Sequence, residues 1–180
     1  MRTLLLTTTL AVLCGNAYSH ESSQHHSQDP SLHNASALEQ YQQHAQQLLF
    51  KLQQQQGDDI GAKAKALVEL SKPLLASFEV QYPQCSDYLK ALNDVADSLA
   101  ELPLEEIESG YHADGKLPPL PTAECYHAKD LLVHPATVQA MARIGMKQAD
   151  DWRDAAHEIE EVLEHFSQVE SALGQVAAHD

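Results

Sequence analysis

The sequence predicts an all-α protein, an antiparallel helical bundle of four main helices plus a short helix, with a disulfide-tethered loop. Three observations predict it. Apolar residues recur at spacings of three and four along most of the 180-residue chain. Nowhere do they alternate with polar residues in the period of two that marks a half-buried strand. The periodic segments are joined by brief stretches punctuated with Gly and Pro, as between neighbouring helices of a bundle.

The chain opens on an export signal. Arg2 precedes the apolar run Thr3 to Cys14, and the small residues Ala17 and Ser19 follow. This pattern reads as a signal peptide over residues 1–19, cut after Ser19. The run is too short to span a bilayer. Leu13 stands before Cys14, where a lipidated cysteine normally follows a small residue. The mature chain, from His20, has no later run long and apolar enough to form a transmembrane segment, so a periplasmic or secreted protein is expected. Losing Arg2 with the leader moves the net charge from −15 to −16. Such a chain repels nucleic acid and anionic headgroups, which leaves metal ions, cationic ligands or another periplasmic protein as partner classes.

Residues 20–35, HESSQHHSQDPSLHNA, hold almost nothing apolar and cannot offset the entropy of ordering. A disordered His-rich tail is expected there, and a helical bundle domain over 36–180. The first helix starts at Ser36, because Ser36-Ala37-Leu38-Glu39 has the form of a capping box. Leu38, Tyr41, Ala45, Leu48, Leu49 and Leu52 share one side of it, and Gly57 ends it. Asp58 and Asp59 suit the positive end of a second helix, whose stripe is Ala64, Leu67, Val68, Leu74, Leu75 and Phe78. Pro73 either kinks that helix or opens a new one. The third opens near Ser86 and runs through Tyr88, Leu89, Leu92, Val95, Ala96 and Leu99 to Pro103, with one more turn before Gly110. Residues 110–122, GYHADGKLPPLPT, read as a loop. A short helix follows from Ala123 to Val133. Pro135 is expected to break it and to start another segment carrying Val138, Met141 and Ala142 as far as Gly145. The last helix has the clearest stripe, Trp152, Ala155, Ile159, Val162, Phe166, Val169, Leu173 and Val176, a heptad-like seam in which Trp152 is largely buried.

Cleavage of the leader leaves two of the three cysteines, Cys85 and Cys125. In an oxidising compartment an even pair reads as a disulfide. Closing this loop stabilises the fold by about 4 kcal/mol on chain entropy.

The eleven histidines offer the chemistry. In the tail, His20 would carry both the processed amine and a ring nitrogen, and His25 and His26 add donors, a set suited to copper or nickel. The bland alternative is a polar tail with incidental histidines. The second cluster is His127, Asp130 and His134, at i, i+3 and i+7 on one helix face. Two imidazoles and a carboxylate make a zinc site with an open position. Pro135 opposes helical geometry at His134, so that site requires the helix to persist there; otherwise the histidines are satisfied polar residues beside the disulfide. The third cluster is His157, Glu158, Glu160, Glu161, Glu164 and His165. Its H-x-x-E spacing at residues 157–160 is similar to one found in the imelysin-type periplasmic family; the likeness covers that tetrapeptide, and nothing of the family is carried over. If Ile159, Val162 and Phe166 face the core, His157, Glu161 and Glu164 point to solvent, and a solvated acidic face is expected.

There is no G-x-S-x-G, C-x-x-C-H, P-loop or dinucleotide motif. The function expected is therefore that of an exported helical binding or accessory protein, with zinc, copper or nickel as ligand. One alternative is a structural or protein-interaction module. A further one is an enzyme using His112, Asp114 and the segment from His127 to His134.

Overall fold

The computed structural model describes residues 30–174, with side chains from residue 36 onward. The signal peptide, His20, His25, His26 and Val176 lie outside the described residues. Within them the protein is all-helical: α1 (Pro30–Gln53), α2 (Ile60–Gln81), α3 (Ser86–Leu99), α4 (Leu104–Ile107), α5 (Ala123–Ile144) and α6 (Ala149–Gly174). A 3₁₀ turn, Pro83–Cys85, leads into α3, and a π turn, Glu108–His112, continues α4. Among the described residues there is no strand, and no helix is long and apolar enough to cross a membrane.

The expected stripes become the core. Leu38, Tyr41, Ala45, Leu48 and Leu52 of α1 are buried, as are the α2 stripe and the α6 seam from Ala155 to Leu173. α1 packs on α2 and α6, α5 packs on α2 and α6, and α3 lies against α2 and α5. Cys85 and Cys125 are bonded, with Cα atoms 5.5 Å apart, so the end of the 3₁₀ turn is tied to the first turn of α5.

Four expectations need correction. The first helix begins at Pro30 and not at Ser36: proline has the φ of a first helical turn, and Ser36 sits inside the helix. The expected tail over 20–35 therefore gives up residues 30–35. The loop over 110–122 starts late, because π-type bonding carries the helix through His112; Ala113 N–H donates to Glu108 O at 2.9 Å. Trp152 is only partly buried, lying against Gly57 at a turn so close that a Cβ there would meet its ring.

The fourth correction matters most for function. α5 does not break at Pro135. A proline has no N–H, so the Leu131 carbonyl one turn back loses its helical partner. The buried Tyr41 hydroxyl of α1 donates to that carbonyl at 2.7 Å. Burial, and then the charge of Asp130, raise the Tyr41 pKa, which keeps the phenol a donor. A side chain from another helix thus replaces the missing bond, and His134 stays helical. Pro73 also lies inside a continuous helix, α2.

Candidate metal centre

α5 carries His127, Asp130 and His134 at i, i+3 and i+7; α6 carries Glu158, Glu161 and His165 at the same spacing. That spacing stacks each trio along one helix face. Packing of α5 on α6 brings the two ladders together in reversed order. His134 Nδ1 lies 2.7 Å from Glu158 Oε2 and 3.6 Å from Glu161 Oε2. At the other end His165 Nδ1 lies 2.6 Å from Asp130 Oδ2, and the His127 and His165 rings are 4.9 Å apart. Between them His134 Nε2 stands 3.7 Å from Asp130 Oδ1.

The π turn adds a fourth imidazole. His112 lies edge-on to His134 with ring centres 4.7 Å apart; its Nε2 is 3.6 Å from Glu158 Oε2 and 2.9 Å from Thr137 Oγ1. Single π turns inside helices are often found at functional sites. Lys129, fully buried on α5, holds this turn in place. Its ammonium donates to His112 O at 2.8 Å and to Asp114 Oδ1 at 3.0 Å, and it lies 4.2 Å from the centre of the Tyr126 ring. Asp114, at a left-handed φ of 60° that aspartate tolerates, also accepts from Tyr88 at 2.7 Å.

Burial sets the proton inventory. Asp130 is pushed above the usual carboxylate range by burial, against the pull of His134, Lys129 and His165. Burial also lowers His127, with His165 adding to the effect, and lowers His112 despite Glu158. At His134 burial opposes protonation, but the hydrogen bond and charge of Glu158, with Asp130 and Glu161, raise its pKa overall. His112 and His127 are thus biased toward the neutral form that ligates metal, and His134 toward an imidazolium paired with Glu158.

Five buried polar atoms of the cluster have no hydrogen-bond partner: His127 Nδ1, both oxygens of Asp130, His134 Nε2 and His165 Nδ1. Asp130 Oδ2 and His165 Nδ1 nonetheless face each other as a close ion pair, and that pull lowers the Asp130 pKa against its burial. Buried polar atoms are otherwise nearly always paired, because an unpaired one costs about 1–3 kcal/mol. Facing lone pairs in a buried site are what a cation satisfies. Two groups of ligand-type side chains converge, His127 with Asp130 and His165, and His112 with His134 and Glu158; in each the donor atoms lie within 4.8 Å of one another. His127 also lines a surface pocket with Tyr82, Glu124 and Ser167.

The trio read from sequence is divided: His127 and Asp130 group with His165, and His134 groups with His112 and Glu158, while the tail histidines lie outside the described residues. The third cluster divides. His157, Glu160 and Glu164 are exposed, as a solvated face requires, whereas Glu158, Glu161 and His165 turn toward α5, which corrects the reading of that whole face. A signal was present: H-x-x-D-x-x-x-H on α5 and E-x-x-E-x-x-x-H on α6 share one spacing. His112 carried no such signal, because only the π turn aims it. Comparison with protein-family models, curated proteins and solved structures gave no match.

Proposed function

We propose that this protein is an exported helical binding protein for a divalent transition metal, held between α5 and α6 by His127, Asp130 and His165, with His134 beside them. The observation that carries the reading is the convergence of three imidazoles and a carboxylate on one buried spot, with polar atoms there that lack hydrogen-bond partners. Imidazoles mixed with one carboxylate suit zinc, copper or nickel better than calcium or magnesium. The bonded cysteine pair and the leader-like N-terminus support an oxidising, exported location. We read the scaffold as an antiparallel bundle of the long helices. Tyr41 stacks with Phe166 while Gln53 bonds Glu160, so α1 and α6 pair in opposite senses.

Protein recovered from the periplasm without an affinity tag is expected to contain stoichiometric metal by elemental analysis. Calorimetry of the stripped protein should give micromolar affinity or better. His165→Ala and His127→Ala should each weaken binding at least tenfold, while one extra residue ahead of His20 leaves the site intact. Absence of heat with zinc, copper and nickel alike would refute the proposal.

A further inference from the structure

We propose that the centre takes two divalent transition-metal ions at once, an inference that rests on the metal-binding reading above. The second ion would be held by His112, His134 and Glu158. Donors in each group lie within 4.8 Å of one another, near the span that two donors about 2.1 Å from a shared ion reach after small side-chain shifts. The two groups share no residue, and His134 turns Nδ1 to Glu158 while His165 turns Nδ1 to Asp130. Loading the second position takes His134 in its neutral form and exchanges the His112–Thr137 contact for the ion.

Asp130 and His134 join the two positions. Asp130 Oδ2 faces His165 in one group, and Oδ1 faces His134 Nε2. The opposite nitrogen of His134, Nδ1, faces Glu158 in the other group. An ion on Nδ1 therefore has a carboxylate behind its imidazole, the arrangement that fixes tautomer and ring orientation at metal sites. The same carboxylate ligates the neighbouring ion. The charges fit a pair as well. Asp130, Glu158 and Glu161 offset three of the four positive charges of two divalent ions, and the Lys129 ammonium is taken up by Asp114.

The exported chain with His20, His25, His26 and His33 replaced by alanine isolates the centre from the tail. After dialysis against zinc, elemental analysis should count two ions per chain. His112→Ala and His165→Ala should each leave one, with circular dichroism confirming the fold. Glu158→Gln, which keeps side-chain shape, is a second variant of the new position and should also leave one. A single ion per wild-type chain, removed by His165→Ala, overturns the pair and leaves the single-ion reading standing. A folded His112→Ala or Glu158→Gln chain that keeps both ions, or loses both, also overturns the pair. No bound ion after dialysis against zinc, copper or nickel in turn, or ions that survive every variant, overturns both readings.

Discussion

Helices α5 and α6 carry the same ladder of ligand-type side chains and bury it differently. α5 touches α2, α3, α4, the π turn and α6, and every residue from Ala128 to Val138 is buried, including Lys129, Asp130 and His134. α6 packs on α1 and α5 and keeps a solvent face with His157, Glu160 and Glu164. A helix enclosed on all sides has no apolar stripe to read, so its polar residues stand out only by being buried. A helix at the surface shows its stripe plainly and can hide ligands at the stripe's edge. Glu158, Glu161 and His165 each precede a seam residue, Ile159, Val162 and Phe166.

The largest effect is expected where α5 is anchored. Reduction of Cys85–Cys125, or Cys85→Ser with Cys125→Ser, should cost about 4 kcal/mol by loop-closure entropy, read as a lower midpoint in urea titration. An unchanged midpoint would show that packing alone places the first turn of α5.

Next comes the buried charge. Lys129→Ala should destabilise by about 3 kcal/mol, the low end for breaking a buried pair, because Asp114 is partly exposed and can rehydrate. Denaturant unfolding measures it.

Metal should act on both helices together. Zinc at about a hundred times its dissociation constant should raise stability by about 2.7 kcal/mol per ion, seen as a higher melting temperature. In Asp130→Asn the metal-free protein should be no less stable than wild type, since burial already disfavours this carboxylate, yet zinc should give little rise.

The pH dependence is smaller and has a definite sign. The folded pKa of His134 is raised, so its contribution is fully present below about pH 6.5 and is lost as pH rises through the raised value. Metal-free protein should therefore lose stability as pH rises from about 6.5 into the alkaline range. Glu158→Gln should flatten that slope in melts recorded across the range.

The smallest effect belongs to the exposed face of α6. His157→Ala should change stability by less than about 0.5 kcal/mol and leave metal content unchanged. A loss of metal here would move the site away from α5.

Much of this molecule was legible in its sequence, because the signals involved are local. Helical stripes follow from the 3.6-residue repeat, and the segments around Tyr41, Phe78, Leu92 and Ile159 are buried as their spacing requires. With Cys14 assigned to an expected leader, the remaining even pair of cysteines anticipated the bond between residues 85 and 125. The spacing of His127, Asp130 and His134 named the α5 side of the candidate cluster. What remained depends on partners distant in the chain. Pro135 ends a helix unless something bonds the carbonyl it leaves free, and Tyr41, ninety residues away, does so. Glu158, Glu161 and His165 meet His134 and Asp130 only because α6 sets that edge of its stripe against α5. His112 joins them because a π turn, tied down by a buried lysine, rotates it inward. Periodicity determines which face of a helix is apolar; helix packing decides which polar residues at its margin meet.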